Sequence, residues 1–260
     1  MLIDSHAHIH LDEYKNDLNE IIENAKKNKV KSIITVGTDE IDSKAALEFC
    51  YNNDFDGVEV FASAGIHPHD ADRGEDSLLT LEDIVLDGGY SDKLVAIGEC
   101  GLDYYRNNSP KKDQLETLEF QLQLAEDSGL PVIFHVRDAW DDFFAVLKNF
   151  KKIRGVVHSF TGTKREVDLV NSYNLYFGLN GIMTFTKQIE QLEAAKLIPK
   201  EKLLLETDCP FLSPEPLRGK RNEPANLKYI AEFLSKLRGE KYAELSEYSS
   251  TNAITLFGLK

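Results

Sequence analysis

The chain has 260 residues, and its 30 Lys+Arg against 44 Asp+Glu give a formal net charge of −14. With 42% hydrophobic and 28% charged residues it has the composition of a globular protein able to bury a sizeable core. The acidic balance argues against a broad basic face for nucleic acid, and no apolar run approaches the ~20 residues that span a bilayer.

Short β-branched runs alternate with longer segments of helical period along the whole chain. The expected strands are Leu2–His6, Ser32–Val36, Val60–Gly65, Leu94–Gly98, Val132–His135, Gly155–His158, Leu175–Gly178 and Leu203–Glu206. Between them, Leu18, Ile21, Ile22 and Ala25 mark one helix. Ser109 as N-cap, Pro110 at the first helical position and Gly129 as stop mark another, through Leu115, Leu118, Leu122 and Ala125. Phe143, Phe144 and Leu147, then Val167 and Val170, carry two more. Leu192, Ala195 and Ile198 share a face that stops at Pro199, and helical stretches near 230–237 and 253–257 close the chain. Strands alternating with helices imply βαβ units and a parallel sheet. Eight units in one uninterrupted chain imply a (β/α)8 TIM barrel forming a single domain over residues 1–260. No GxGxxG follows the first strand, which weakens a dinucleotide-binding alternative.

The chemistry of such a barrel sits at the C-terminal strand ends. Six of the eight expected strands finish there in a histidine or an acid: His6 and His8, His67 and His69, Glu99, His135, His158, and Glu206 with Asp208. His6 and His8 stand at i and i+2, so their rings share one face and form half of a zinc or manganese site. The bland alternative is a hydrogen-bonded pair. Glu99 is the natural carboxylate to bridge two cations, with Gly98 leaving room for close approach, and His135 and His158 complete the second ion. Asp208 suits both ligation and catalysis as the base taking a proton from the attacking water, whose pKa a cation lowers towards ~7. Its alternative is a helix N-cap.

His67 is expected to touch substrate or move a proton, with a structural role as the other reading. His10 keeps the parity of His6 and His8 but falls past the strand. Arg218 and Arg221 belong to the densest basic stretch, Arg218-Gly219-Lys220-Arg221-Asn222-Glu223-Pro224. They would either grip phosphate by forked hydrogen bonds or pair with local acids such as Glu206 or Glu223. Cys50, Cys100 and Cys209 include no CxxC, and the opening Met-Leu-Ile-Asp-Ser-His has neither basic flank nor cleavage site; a reduced, cytoplasmic protein is expected. Strand alternation turns Cys100 and Cys209 away from the site, into packing.

Taken in order, the motifs Ile3-Asp4-Ser5-His6-Ala7-His8, Gly65-Ile66-His67-Pro68-His69 and Ile97-Gly98-Glu99-Cys100-Gly101-Leu102-Asp103-Tyr104 open a distinctive set. Pro131-Val132-Ile133-Phe134-His135-Val136-Arg137-Asp138-Ala139, His158-Ser159-Phe160, Leu205-Glu206-Thr207-Asp208-Cys209-Pro210 and the arginine loop complete it. The set resembles the TatD family of metal-dependent hydrolases, within the amidohydrolase-like barrels, over essentially the whole chain. The resemblance implies two divalent ions (Zn, Mn or Mg), one held by His6, His8, Glu99 and Asp208 and the other by Glu99, His135 and His158. It implies a deoxyribonuclease, commonly a 3′-to-5′ exonuclease, with DNA as substrate and no obligate protein partner. His10 departs from the Asp or Asn usual there, which leaves the ligand positions intact. The competing functions are an amidohydrolase cutting a small-molecule C–N or lactone bond and a metal-binding scaffold without turnover. Glu99 in place of a lysine disfavours the carbamylated-lysine subtypes of the first, and Asp208 disfavours the second.

Overall fold

The computed structural model describes residues 1–86, 89 and 92–259. Eight strands form one parallel sheet in strictly sequential order. They are β1 (Leu2–Ala7), β2 (Val30–Val36), β3 (Glu59–Ala64), β4 (Leu94–Asp103), β5 (Val132–Arg137), β6 (Gly155–Val157), β7 (Tyr176–Leu179) and β8 (Leu203–Leu205). Helices alternate with them: α1 (Leu18–Lys27), α2 (Glu40–Asn52), α3 (Glu75–Leu86), α4 (Lys111–Ser128), α5 (Trp140–Leu147), α6 (Lys164–Ser172), α7 (Ile182–Phe185), α8 (Ile189–Leu197), α9 (Leu227–Arg238) and α10 (Tyr242–Phe257). The fold class is the expected (β/α)8 barrel. Among the described residues no helix is long and apolar enough to cross a membrane.

The chain forms two compact units, one of Met1–Thr35, Asp54–Val60 and Ser159–Lys260, the other of Val36–Asn53 and Phe61–His158. In the first, β1 pairs with β2 on one side, and Ala7 bridges to Cys209, just past β8, on the other. First and last strand thereby meet, with His8 N–H donating to the Cys209 carbonyl at 2.8 Å and Asp208 N–H to the His6 carbonyl at 2.8 Å. Helix α10 packs on β1 and β8 and buries Leu245, Ala253 and Leu256.

In the second unit β4 is the longest strand, and every residue of it is buried. It outruns the expected end at Gly98 and continues to Asp103, because the register with β5 shifts between Ile97 and Cys100 and pairing resumes at Cys100–Phe134. A bulge of this kind re-aims a side chain without ending the strand. Gly98 makes it possible: its φ is +127°, and a Cβ there would stand 2.5 Å from the Ile133 carbonyl oxygen.

Helix α4 starts one residue later than expected. Pro110 is the N-cap and Lys111 the first helical residue, while Ser109 does not cap. The Ser109 hydroxyl is drawn to the loop after β3, donating to the His69 carbonyl at 2.8 Å. At the other end Gly129 takes the left-handed conformation and closes the helix as expected.

Candidate metal centre

Among the described residues, each unit gathers side chains of a kind that could ligate a metal. In the first, β1 delivers His6 and His8 with their Nε2 atoms 3.3 Å apart. Asp208 Oδ1 lies 3.7 Å from His6 Nε2 and 3.5 Å from His8 Nε2. Asp208 reaches this place through backbone geometry: its φ is +57°, a left-handed conformation that an aspartate tolerates better than most residues. The main-chain bond to His6 holds it there. Deeper on the same strand, Asp4 accepts from the Thr207 backbone N–H at 2.8 Å and from Thr207 Oγ1 at 2.5 Å. Burial pushes its carboxyl up to about 8 against those hydrogen bonds. Asp4, His6 and His8 share one strand parity, the signal that marks Asp4 as part of this wall.

Glu206 is fully buried and accepts from the Ser159 backbone N–H at 2.6 Å and from Asn180 Nδ2 at 3.3 Å. It fits against β7 because residue 178 is glycine, where a Cβ would collide with the Glu206 carboxylate. The acid that pairs with Arg221 is Asp17, a correction to the expected Glu206 or Glu223. The guanidinium also lies 4.7 Å above the Tyr14 ring, whose hydroxyl donates to the Asn222 carbonyl at 2.6 Å. Arg218 donates to the Ser213 carbonyl at 2.8 Å and stacks 3.7 Å above Phe185. His10 turns to Thr35, with 2.7 Å between Nδ1 and the hydroxyl.

In the second unit the bulge presents Glu99 to three imidazoles. Its Oε1 is 2.7 Å from His135 Nδ1, 3.0 Å from His158 Nε2 and 3.5 Å from His67 Nε2. Behind them, Asp103 Oδ2 is 3.1 Å from His135 Nε2 and 3.0 Å from His69 Nε2. Nε2 of His135 faces the Asp103 carboxylate and Nδ1 the Glu99 carboxylate; both are acceptors, so the ring donates at both nitrogens, and a cation bound at Nδ1 would take the place of that proton alone. At His67 the backbone fixes a single tautomer: Nδ1 accepts from the His69 backbone N–H at 3.1 Å, so that Nε2 is the donor.

The charges follow. Burial works against a charged His135, but the Asp103 and Glu99 carboxylates outweigh it and raise its pKa. Burial would likewise raise Asp103, yet hydrogen bonds from His135, the Arg106 backbone N–H and His69 hold it well below the usual carboxylate range. Burial pushes His67 down to about 4 despite the pull of Glu99, so its ring is neutral at pH 7.

Asp103 was legible only as a motif residue. With β4 read as ending at Gly98, nothing placed an acid five residues further on the same strand. Cys100 and Cys209 are buried in packing, as expected.

The donor set fits divalent cations. Imidazole nitrogens and carboxylate oxygens suit Zn and Mn, and ligand atoms of His67, Glu99 and His135 lie within 4.8 Å of one another. A carboxylate behind a ligating imidazole, as Asp103 stands behind His135, is the usual second-layer partner of such ligands.

Comparison with known proteins agrees. The family of TatD related DNases matches residues 3–258. A metal-dependent hydrolase of Bacillus subtilis strain 168, YabD, is 40% identical over 260 residues, covering 99% of each chain. The 3′-5′ ssDNA/RNA exonuclease TatD of Escherichia coli K12 is 34% identical over 254 residues, covering 95% of each. The crystal structure of YjjV, a TatD homolog from Escherichia coli K12, superposes with a TM-score of 0.91 at 27% identity, covering 100% of this chain and 98% of that one.

Proposed function

Since the chain belongs to the family of TatD related DNases, we propose that it is a two-metal phosphodiesterase removing nucleotides from the 3′ end of single-stranded DNA. The observation that carries this reading is the Glu99 carboxylate with His135, His158 and His67 gathered at its Oε1. His6, His8 and Asp208 would hold one ion, and Glu99, His135 and His158 the other; zinc, manganese and magnesium are the candidates. Bound there, the ions would supply Lewis acidity and ease deprotonation of the attacking water.

The chain's own groups account for the rest. Asp208 takes the proton, its carboxylate placed by a left-handed backbone conformation at φ +57° and the main-chain bond to His6. Asp103 holds the Nε2–H of His135, so that Nδ1 is the nitrogen that would give up its proton to a cation. His67, neutral and protonated on Nε2, is a hydrogen-bond donor for a phosphate oxygen. On the loop after β8, Arg218 adds a cationic phosphate contact, while Arg221 anchors that loop through Asp17. We place the enzyme in the cytoplasm as a single barrel domain; the three buried free thiols suit a reducing compartment.

The test is hydrolysis of end-labelled single-stranded DNA by protein loaded in turn with zinc, manganese and magnesium. A ladder shortening from the 3′ end is expected with at least one metal. Intact DNA alongside hydrolysis of an amide or lactone would overturn the reading.

A further inference from the structure

Past the end of β4 the chain displays an aromatic ring to solvent. Tyr105 is 61% exposed, two residues beyond Asp103. Above its ring, at 3.9 Å, lies the guanidinium of Arg137, the last residue of β5. Arg137 follows His135 at i+2 on that strand, so the two side chains leave from the same face. The strands hold the pair in register: Asp103 is the β-partner of Arg137, and Tyr104 N–H donates to the Arg137 carbonyl at 2.9 Å. Tyr104 is itself committed, with Lys111 Nζ 3.8 Å over its ring and its hydroxyl donating to Asp142 at 2.8 Å.

Arg73, Arg165, Arg221 and Arg238 each pair with a carboxylate. Arg137, like Arg106 and Arg218, stands outside the guanidinium–carboxylate pairs of the described residues. In a chain of net charge −14, a guanidinium laid flat on an exposed tyrosine and kept from acids retains its fork of N–H donors for an external anion. The ring beneath offers a π-face, which any nucleobase can use.

We propose that Tyr105 and Arg137 form a nucleotide subsite, in which Tyr105 stacks a base of the bound strand and Arg137 grips an adjoining phosphate. The subsite rests on the phosphodiesterase reading above and deepens it, since it selects a polynucleotide over a small phosphate ester. Tyr105 and Arg137 act here as binding residues and take no part in the proton transfer.

Metal-loaded protein is titrated with two dye-labelled probes carrying phosphorothioate linkages, an oligodeoxythymidylate and an abasic oligomer of equal length. Wild-type protein should favour the base-bearing probe. Tyr105→Ala should abolish that preference, weakening the base-bearing probe by roughly 5- to 150-fold, the range for one lost base–aromatic stack. Tyr105→Leu, bulky but without a π-face, should match it, and Tyr105→Trp should restore the preference. Arg137→Ala should lower the salt dependence for both probes by about one phosphate contact. A pair that only braces the β4 end would weaken both probes equally in Tyr105→Ala, and that result overturns the proposal. Cleavage of end-labelled DNA by the wild type is followed in parallel. Base-dependent, Tyr105-dependent binding without cleavage would sink the phosphodiesterase reading and leave the subsite standing. Base-independent binding sinks the subsite whatever the cleavage result.

Discussion

The two ligand clusters are positioned by different means. In the first unit the work falls on the main chain: Asp208 sits at φ +57° with its N–H on the His6 carbonyl, and the N–H of His8 is on the Cys209 carbonyl. In the second it falls on side chains, with Asp103 receiving both His135 and His69, and His67 aligned by the His69 backbone. A backbone-held carboxylate keeps its place when neighbouring side chains change. A ring held by another carboxylate does not. The first cluster is therefore sensitive mainly at the ligands themselves, and the second also one layer back.

Substitutions test that contrast, and the largest effect is expected at Asp208. Asp208→Asn keeps the shape and the backbone bond but removes the basicity, so turnover should fall by about 10²–10⁴-fold, the usual contribution of a general base. Metal content, measured by atomic emission, should fall far less. Parallel loss of both would reduce Asp208 to a ligand and make the two clusters alike.

Asp103→Asn comes next. It touches no proposed substrate or ion and acts through the Nε2–H of His135, so metal affinity or activity should drop by about 10–100-fold, as for other second-layer partners. The readout is a zinc titration beside the turnover assay. An unchanged titration would show that β5 alone orients His135.

A smaller effect is expected at Thr207, the side-chain prop of the first unit. Thr207→Val removes the hydroxyl that donates to buried Asp4 and should cost about 1–3 kcal/mol of stability, the range for a buried acceptor losing its donor. Denaturant unfolding measures it. A change below that range would mean that the Thr207 backbone N–H suffices for Asp4, extending main-chain control one residue deeper.

The smallest effect concerns a thiol remote from both clusters. Burial pushes Cys50 up to about 12, partly offset by Lys93. Below about pH 9, the ordinary thiol range, folded and unfolded chains both keep the proton and the contribution to stability is complete. Above it the unfolded thiol ionises first, and stability falls by at most about 1.4 kcal/mol per pH unit until the folded pKa is reached. Cys50→Ala should flatten this alkaline slope in melts between pH 8 and pH 10. An unaltered slope would assign it to other groups.

Much of this protein was legible in one dimension. Short β-branched runs between segments of helical spacing located all eight strands, because each strand of a parallel sheet is covered on both faces and must be apolar along its length. The proposed ligands stood out because polar residues after such runs have few structural uses. His6 and His8 even declared a shared face by parity. What tertiary structure alone decided lies where local rules were overridden. Gly98 lets β4 bulge and run on to Asp103, and no local pattern reveals that an acid beyond an expected strand end lies behind His135. Ser109 looked like a cap until the His69 carbonyl claimed its hydroxyl. Arg221 chose Asp17, 204 residues away, over the glutamates nearer in sequence or at the strand ends. Hydrogen bonds and ion pairs act over a few ångströms whatever the separation along the chain. Sequence therefore determined which donors and acceptors exist, and only the fold determined which of them meet.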